Sequence, residues 1–448
     1  MTKIAMIGAG GQEFPLRLMT DFLALESPRE AAYTLMDIDP VPLARTERLV
    51  RRVASAHGYK IELETTTDRR AALDGADFVI VCFQVGSQSA YTLDMEIPRR
   101  YGIDQTVGDT LGPGGAMRGL RTMAVLDGLA DDVLELCPDA LVLQYANPMS
   151  INCAYLQSRG VKAVGLCHSV HHTAGQLADI MGLAPGTWSF RAAGINHQAW
   201  MLEFKHEGRS ILPRLYDTML AYSRGEHDPV VEIDEWYAGG RERVRTEVMK
   251  LTGYFPTESS HHVSEYFPHF RRSPELIAEL LPERWDYHAI GSGQGDAEQE
   301  ALADELAAEP LTLSGEYAAG IVDSILTGTP RVIYGNVPND GLITNLPAGA
   351  CVEVPCLVDA SGVQPTRVGD LPAACAAVNL PSIAFQSCVV EAYRTRSRRL
   401  VNTALTLDRL TAALLPLPDI QALTDELLDE QARWLPAFHD SDGKGDRR

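Results

Sequence analysis

Apolar and polar positions follow two alternating patterns along the first half of the chain. Short, continuous apolar runs predict strands that are buried on both faces, as in a parallel sheet. The longer stretches between them carry apolar residues at helical spacing and predict helices that cover the sheet. A strand that regularly alternates with a helix predicts right-handed crossovers and a doubly wound, Rossmann-like parallel sheet. The predicted strands are Lys3–Ile7, Tyr33–Met36, Ile61–Thr66, Asp77–Phe83, Ala140–Gln144 and Lys162–Leu166, and the predicted helices are Gln12–Leu25, Val41–His57 and Ala116–Leu136.

The pattern changes after about Leu183, where segments typical of antiparallel strands appear. Later predicted strands are rich in Pro and Gly, and they are followed by predicted helices from about Ser382 to Trp434. We therefore predict an α/β fold with two domains. Residues 1–190 would form a nucleotide-binding domain, and residues 191–448 a mixed α+β domain for substrate, metal and oligomer contacts. The strands predicted in this second half are Trp188–Gly194, Ala199–Phe204, Val332–Val337 and Cys351–Val358.

The charge and cysteine content argue against several kinds of partner. Among 448 residues, 39 Lys and Arg stand against 60 Asp and Glu, which gives a net charge of −21. Nucleic acid is not expected, because phosphate backbones require clusters of basic residues. No run of about 18 apolar residues predicts a transmembrane helix, and no signal peptide is recognisable. The eight cysteines show no disulfide spacing, so we expect a cytoplasmic protein with free thiols and no membrane partner.

A glycine turn after the first predicted strand is a candidate nucleotide site. Gly8, Gly10 and Gly11 would let the backbone approach a pyrophosphate at the start of a helix. The turn departs from the GxGxxG pattern, because Glu13 stands where the third glycine would be. Asp37 ends the second strand, where a carboxylate can accept hydrogen bonds from both ribose hydroxyls, which favours NAD over NADP. The alternative is that Asp37 only caps the next helix, a role open to Asp39 as well.

Cys167 lies at the end of a predicted strand, and His197 lies between two predicted strands. Both are candidate metal ligands. A thiolate and an imidazole suit a borderline divalent cation, and strand ends are where open α/β sheets place their sites. Two protein ligands would suit a catalytic metal that also binds substrate and water. The alternative is that Cys167 is a small core residue. His168, His171 and His172 lie nearby and are further candidate ligands, although we expect His171 and His172 to be exposed at the start of a helix.

These features occur together with longer sequence segments that resemble those of glycoside hydrolase family 4. The resemblance is strongest to the α-galactosidase (melibiase) branch of that family. The resemblance extends over nearly the whole chain. Its blocks are IGAGG, LMDIDP, DFVIVCFQVG, GDTLGPGGAMRGLRT, CPDALVLQYANPMSIN, VGLCHSV, AGINHQAW, TESSHHVSEYFPHF and VIYGNVPNDGLITNLPAGACVEVPCLVD. Members of this family depend on NAD and do not follow the two-carboxylate scheme of most glycosidases.

The resemblance implies hydrolysis by oxidation and elimination. NAD⁺ would accept the hydride at C3 of the sugar, and the resulting ketone would acidify the proton at C2. A base would remove that proton and the C1–O bond would break; water would then add and the hydride would return. A divalent metal, Mn²⁺, would be held by Cys167 and His197 and would polarise the sugar oxygens.

Three further residues acquire roles from the resemblance. Tyr266 matches the family's base, which requires a nearby cation to lower its pKa; the alternative is core packing. Asp109 matches an acidic position near C2 and C3 of the sugar, and could otherwise be a turn residue. Asn147 matches an asparagine that contacts the substrate, and could otherwise cap a helix.

The chain also departs from the phospho-glycosidase branches of the family. Those branches often carry an aspartate after the metal cysteine as the leaving-group acid, where this chain has His168; Asp109 is the second candidate for that role. They also carry an arginine where this chain has about Tyr91, which argues against a 6-phosphosugar. We therefore expect an unphosphorylated α-galactoside. An α-glucoside or an α-uronide is the alternative within the family, and Arg118 or Arg121 could bind a uronide carboxylate, although a helix-surface role is equally open.

A second class of function is an NAD-dependent 2-hydroxy-acid dehydrogenase, because lactate and malate dehydrogenases share this nucleotide domain and a similar strand–NP turn. That chemistry has no use for a cysteine–histidine metal pair. A non-catalytic, NAD-sensing protein is disfavoured by the joint presence of the site residues. The resemblance also implies a homodimer or homotetramer.

Overall fold

The computed structural model describes residues 1–12, 14–233, 235–289 and 295–440, so Glu13 lies outside the described residues. A parallel sheet forms the first half of the chain. It consists of β1 (Lys3–Ile7), β2 (Ala32–Met36), β3 (Glu62–Thr66), β4 (Phe78–Val81), β5 (Leu141–Gln144) and β6 (Ala163–Leu166). These strands lie in the order β3-β2-β1-β4-β5-β6, and each neighbouring pair is parallel. The strand order reverses between β1 and β4, which is where a doubly wound sheet binds its ligand.

Antiparallel strands extend the same sheet from β6. The further strands are β7 (Trp188–Ile195), β8 (Gln198–His206), β9 (Arg209–Ser210), β10 (Arg331–Pro338), β11 (Cys351–Asp359) and β12 (Gly362–Pro365). Strand β10 pairs with β6 through Gly335 and Leu166, and Glu353 of β11 pairs with Gly194 of β7. One sheet therefore runs through both halves of the described chain, and the domain boundary at residue 190 stays a prediction.

Helices cover both halves of the sheet. Those of the first half are α1 (Pro15–Ala24), α2 (Glu26–Arg29), α3 (Pro40–Ala56), α4 (Arg69–Leu73), α5 (Ser87–Arg100), α6 (Gly112–Leu136), α7 (Met149–Ser158) and α8 (Ser169–Ile180). Those of the second half are α9 (Leu212–Ser223), α10 (Glu235–Thr252), α11 (Ser260–Tyr266), α12 (Pro274–Leu280), α13 (Asp296–Ala308), α14 (Tyr317–Thr327), α15 (Ala373–Thr395), α16 (Arg398–Leu407), α17 (Arg409–Leu414) and α18 (Leu417–Glu430). Residues 239–242 within α10 have a non-helical backbone.

Helix α15 supports the hairpin formed by β7 and β8. Asn379 on α15 accepts a hydrogen bond from the indole N–H of Trp200 and donates one to the carbonyl of Gln198. By length and composition alone α15 could cross a membrane, but 56% of its most apolar window is buried inside the protein. Core helices meet the same criterion, so this helix is weak evidence for a membrane span. Its contacts fix the β7–β8 turn, which carries His197.

Candidate functional site

The glycine turn lies at the carboxyl end of β1, beside β2 and β4. Gly8 has a φ of +99°, and a Cβ there would lie 2.6 Å from the backbone nitrogen of Phe83. A Cβ on Gly10 would lie 2.8 Å from the Asp37 carboxylate. The amide nitrogen of Gly11 donates to the carbonyl of Gly8 at 3.1 Å, which closes the turn. Glycine is therefore required where a pyrophosphate would approach the backbone.

Asp37 and Asp39 have different roles in the structure. The Asp39 side chain accepts a hydrogen bond from the Val41 amide and caps α3. The half-buried Asp37 carboxylate instead accepts hydrogen bonds from the amides of Gly10 and Asp39, at 2.8 and 3.0 Å. The capping alternative for Asp37 is therefore wrong. Its carboxylate is fixed at the edge of the glycine turn, where it can accept hydrogen bonds from a ribose.

Cys167, His197 and Glu258 form a candidate metal centre. The Sγ atom of Cys167 lies 3.4 Å from Nε2 of His197, and the same Nε2 lies 3.4 Å from Oε2 of Glu258. The ligand atoms of all three residues lie within 4.8 Å of one another. Bonds of about 2.0–2.3 Å in tetrahedral geometry would place such atoms roughly 3.5 Å apart. The donor set therefore fits a divalent cation.

Two of these residues are held in left-handed backbone conformations. His197 has a φ of +62° in the turn between β7 and β8, and Glu258 has a φ of +76°. The segment before Glu258 is tied to β8, because Met201 donates to the Phe255 carbonyl and Thr257 donates to that of Ala199, each at 2.9 Å. A positive φ is uncommon for residues other than glycine, although asparagine, aspartate and histidine adopt it more often than the rest. Such strain clusters at functional sites.

The ionisation of the three side chains also favours a bound cation. Burial raises the pKa of the Cys167 thiol well above its usual value, and the charges of Glu353 and Glu258 add to this. Burial lowers the pKa of His197, so its imidazole is neutral near pH 7 and cationic only at the lower pH at which the neighbouring carboxylates titrate. Burial alone would raise the pKa of Glu258, but the imidazoles of His262 and His197 outweigh it and lower the pKa to about 2. A cation would offset the cost of a buried Cys167 thiolate beside a buried carboxylate.

Asp109 and Asn147 lie next to this centre. The amide nitrogen of Asn147 donates to Oδ2 of Asp109 at 2.7 Å. The N-cap residue of α7 is Pro148, so the capping alternative for Asn147 is wrong. Burial alone would raise the pKa of Asp109, but the neighbouring charges of His262, Arg118 and His197 lower it overall. Asp109 is therefore ionised, and it forms a second candidate group for a cation with His197 and His262.

Tyr266 ends α11 and directs its hydroxyl at the same histidine. The hydroxyl oxygen lies 3.5 Å from Nδ1 of His197, and the residue is 2% exposed. Burial raises the pKa of Tyr266 well above its usual value, and the charges of Asp109 and Glu258 raise it further. A nearby cation would lower the pKa of Tyr266, and the Cys167–His197–Glu258 centre includes the histidine that the hydroxyl contacts. The role of Tyr266 as a base beside a metal stays a prediction.

His168 lies at the rim of the site. It precedes α8, with 46% of its side chain exposed, and its Nδ1 atom lies 2.9 Å from Oε1 of Glu316. His171 and His172 are exposed on α8, as the sequence predicts. The structure thus places His168 beside Cys167 on an accessible side of the centre.

Arg118 is not on a helix surface. It is 9% exposed, its guanidinium lies 5.1 Å from the centre of the Tyr91 ring, and Nη2 donates to Gln84. Its Nε and Nη1 atoms are buried and have no hydrogen-bond partner among the described residues. Arg121 is fully buried in a double hydrogen bond with Asp94, so it cannot bind a substrate. The helix-surface alternative is therefore wrong for both arginines.

Three residues of the site were not predicted from the sequence. Glu258, Thr110 and His262 contact the predicted residues. They lie in polar segments of the sequence, GDTLG and TESSHH, in which no residue spacing is typical of a metal site. Glu258 is remote in sequence from Cys167 and His197, and only the backbone pairing of its segment with β8 brings it to them.

A cavity of about 640 Å³ lies at the other end of the sheet, lined by the amino ends of β4, β5 and β6. Asp77 and Lys162 are among its polar residues. Ligands of open α/β sheets bind at the carboxyl ends of the strands. We therefore assign the candidate site to the side-chain cluster and not to this cavity.

Comparisons with known proteins show which family the chain is similar to. The family 4 glycosyl hydrolase model matches residues 3–183, and the model of the family 4 glycosyl hydrolase C-terminal domain matches residues 192–411. An α-galactosidase of Bacillus subtilis (strain 168) is 36% identical over 444 residues, 98% of this chain and 100% of the relative. An α-galactosidase of Rhizobium meliloti (strain 1021) is 34% identical over 450 residues, 97% of this chain and 89% of the relative. A solved 6-phospho-α-glucosidase from gut microorganisms, in complex with NAD and Mn²⁺, has a TM-score of 0.82 at 18% identity, over 98% of this chain and 100% of that one.

Proposed function

The chain belongs to family 4 of the glycosyl hydrolases, and from this premise we propose that it hydrolyses unphosphorylated α-galactosides with NAD and Mn²⁺ as cofactors. The observation that carries the proposal is the cluster of Cys167, His197 and Glu258 beside Tyr266. Most glycosidases require two carboxylates that flank the scissile bond. A thiol–imidazole–carboxylate centre next to a buried tyrosine suits a different chemistry, in which a metal and a base act on the sugar ring.

When bound, NAD⁺ supplies a hydride acceptor and Mn²⁺ a Lewis acid. The residues that would hold the two groups are already arranged. Gly8, Gly10 and Gly11 leave the backbone open to a pyrophosphate, and Asp37 would accept hydrogen bonds from the ribose. The geometry of Cys167, His197 and Glu258 matches the ligand spacing of a divalent ion. The solved 6-phospho-α-glucosidase with the same fold contains NAD and Mn²⁺, which supports the choice of cofactors.

The remaining residues would bind the sugar and move its protons. Asn147 and the ionised Asp109 would orient the sugar hydroxyls, since their own hydrogen bond fixes both side chains. Tyr266 would take the proton from C2 at its hydroxyl oxygen. His168 would donate a proton to the departing glycosidic oxygen, because it is accessible and adjacent in sequence to Cys167. In this proposal Tyr266 is the general base and His168 the general acid.

The identity of the sugar is inferred from the relatives and from the presence of Tyr91 where other branches of the family carry an arginine. Two relatives that are 36% and 34% identical are α-galactosidases, and they align with nearly the whole chain. Tyr91, at the position where phospho-glycosidases of this family often carry an arginine, is buried and donates its hydroxyl proton to the carbonyl of Val107. The arginine of the phospho-glycosidase branches is therefore missing at about this position, which argues against a 6-phosphosugar.

An α-galacturonide is the second candidate substrate, and Arg118 is the observation that favours it. Its buried Nε and Nη1 atoms have no hydrogen-bond partner among the described residues. A buried guanidinium with free donors favours an anionic or multiply accepting ligand such as a carboxylate. A direct comparison of p-nitrophenyl α-galactoside with p-nitrophenyl α-galacturonide decides between the two substrates.

We also propose that the protein works in the cytoplasm as a homodimer or homotetramer. The eight cysteines, all of which lie in the described part of the chain, are free thiols, which suits a reducing compartment. Exposed Leu380 and Leu407 on the neighbouring helices α15 and α16 are candidates for subunit contacts. Light scattering of the protein as it elutes from a size-exclusion column measures its oligomeric state.

Proton exchange at C2 tests the chemistry directly. If hydrolysis is run in D₂O, the galactose released should carry deuterium at C2, because the removed proton is replaced from solvent. Tyr266→Phe should still bind NAD⁺ but lose this exchange by at least 100-fold. Tyr155→Phe is the matched control, since the Tyr155 hydroxyl bonds to Asp127, away from the cluster. If the unaltered protein hydrolysed its substrate in D₂O and released galactose without deuterium at C2, hydrolysis would be direct and the proposal would be overturned.

A further inference from the structure

The hydroxyl of Thr110 lies between the substrate side and the metal side of the site. Thr110 is buried, and its Oγ1 atom lies 2.7 Å from Oδ1 of Asp109 and 2.9 Å from Nδ1 of His197. The Tyr266 hydroxyl lies 3.5 Å from the same Nδ1 atom. One hydroxyl, that of Thr110, thus contacts both an acid and an imidazole.

The direction of these hydrogen bonds follows from counting protons. A hydroxyl has one proton to donate and can accept two hydrogen bonds. The Asp109 carboxylate can only accept, and its other oxygen already accepts from Asn147. The Thr110 proton must therefore point at Asp109. The Thr110 oxygen then accepts, and the proton between Thr110 and His197 belongs to Nδ1 of the imidazole.

A proton on Nδ1 determines what the other ring nitrogen can do. A neutral imidazole carries one N–H, so Nε2 of His197 is left with a free lone pair. That nitrogen is the atom that lies 3.4 Å from both Cys167 and Glu258. If the tautomer were reversed, an N–H group would point into the metal centre and would have to leave before a cation could bind.

We propose that Thr110 is a positioning residue that holds His197 as the Nδ1–H tautomer, so that its Nε2 atom is ready to bind the divalent metal. The inference rests on the proposed function, because it requires Mn²⁺ to bind at the Cys167–His197–Glu258 centre. No other partner replaces the threonine, since the only further contact of Nδ1 among the described residues is the Tyr266 hydroxyl at 3.5 Å. Loss of such a supporting hydrogen bond typically weakens metal affinity about 10- to 100-fold.

Mn²⁺ binding to protein free of NAD and substrate provides the test, with free Mn²⁺ measured by electron paramagnetic resonance. Thr110→Val keeps the shape of the side chain and removes the hydroxyl, so the Mn²⁺ dissociation constant should rise about 10- to 100-fold. Thr110→Ser keeps a hydroxyl and should stay within about threefold of the unaltered protein. Thr424→Val removes a buried threonine hydroxyl that bonds within α18, and should have no effect.

Unchanged Mn²⁺ affinity in folded Thr110→Val would overturn the inference, and so would an equal loss in Thr110→Ser. If Thr110→Val does not fold, Thr110→Ala gives the same comparison. Failure of the unaltered protein to bind Mn²⁺ would instead contradict the proposed function. Nitrogen NMR of ¹⁵N-histidine-labelled protein, with His197→Asn to identify the signal, adds a second readout. The His197 signals should show Nδ1 protonated in the unaltered protein and lose that preference in Thr110→Val; a protonated Nε2 in the unaltered protein would overturn the inference.

Discussion

Glu258 is held in place against its own backbone preference. A φ of +76° costs a residue with a side chain on the order of 1–3 kcal/mol. The pairing of the preceding residues with β8 and the bond from the Ser259 amide to the Glu258 carboxylate hold it there. The result is a carboxylate 3.4 Å from Nε2 of His197, where it can serve as a third ligand.

We expect Glu258→Gln to raise the Mn²⁺ dissociation constant at least about tenfold, because a neutral amide is a weaker ligand than a carboxylate. Titration calorimetry of the protein without NAD measures this constant. Glu226→Gln, which alters an exposed carboxylate paired with Arg224, is the matched control and should bind as the unaltered protein does. Equal affinities in all three proteins would show that Glu258 is not a ligand.

Glu353 is a buried acid whose carboxyl group is only partly hydrogen-bonded. One of its oxygens accepts a hydrogen bond from Asn336, and the other has no partner among the described residues. Burial raises the pKa of Glu353 to about 8. The folded protein therefore keeps a proton that the unfolded chain releases between about pH 4.5 and 8, and the contribution of Glu353 to stability falls as pH rises through that window.

Glu353→Gln should remove this loss of stability at alkaline pH. In metal-free protein at pH 9 the variant should be more stable than the unaltered chain by about 2–5 kcal/mol, and the difference should shrink towards pH 5. Urea unfolding at the two pH values measures the free energy of unfolding. Glu64→Gln on β3 changes an exposed glutamate and should show no such pH dependence. A Glu353→Gln variant that loses stability equally at both pH values would contradict the assignment.

At the scale of elements, helix α11 and the loop before α6 are locked together by Glu265. Its carboxylate accepts hydrogen bonds from the amides of Thr106, Val107 and Gly108 and from the side chain of Gln105, at 2.6 to 3.0 Å. The next residue on α11 is Tyr266, and the loop continues into Asp109 and Thr110. The clamp therefore fixes the spacing between the proposed base and the residues that contact it.

Glu265→Gln should loosen this clamp, since an amide NH₂ group would face backbone amides that require an acceptor. We expect kcat to fall about 100-fold with little change in NAD⁺ affinity, because a displacement of about 1 Å in an active site can cost that much. Steady-state kinetics and NAD⁺ titration provide the two readouts. Asp132→Asn removes a buried carboxylate that pairs with Arg69 and Arg70, far from the loop, and should leave kcat unchanged. Normal kcat in Glu265→Gln would show that the clamp is dispensable.

The apolar pattern predicted most of the strands well because the parallel strands inside the sheet are largely buried, whereas the edge strand β3 has exposed residues. The observed bounds of β1 are those predicted, and β4 lies within the predicted run. Helix α5 was not predicted, since Pro98 interrupts it and its polar residues obscure an apolar stripe. The pattern could indicate Cys167 and His197 at strand ends. It could not indicate Glu258 or Thr110, whose positions depend on long-range pairing and on a clamp between elements.

At the scale of the whole molecule, the sheet brings the two halves of the site together. The parallel strands place Asp37, the glycine turn and Cys167 at one edge of the sheet. The antiparallel strands continue from β6 and bring His197 to the same edge, next to the segment that carries Glu258 and Tyr266. This continuity explains how a nucleotide-binding fold can also bring together the residues of the proposed metal centre and the proposed base.

The most direct test is an assay of p-nitrophenyl α-glycosides with purified protein, NAD⁺, Mn²⁺ and dithiothreitol, in which each addition is omitted in turn. We predict that nitrophenol is released fastest from the α-galactoside, that release requires both NAD⁺ and Mn²⁺, and that NADH does not accumulate. Release that persists without NAD⁺ would contradict the account. So would the absence of release from every glycoside while NADH accumulates with a 2-hydroxy acid.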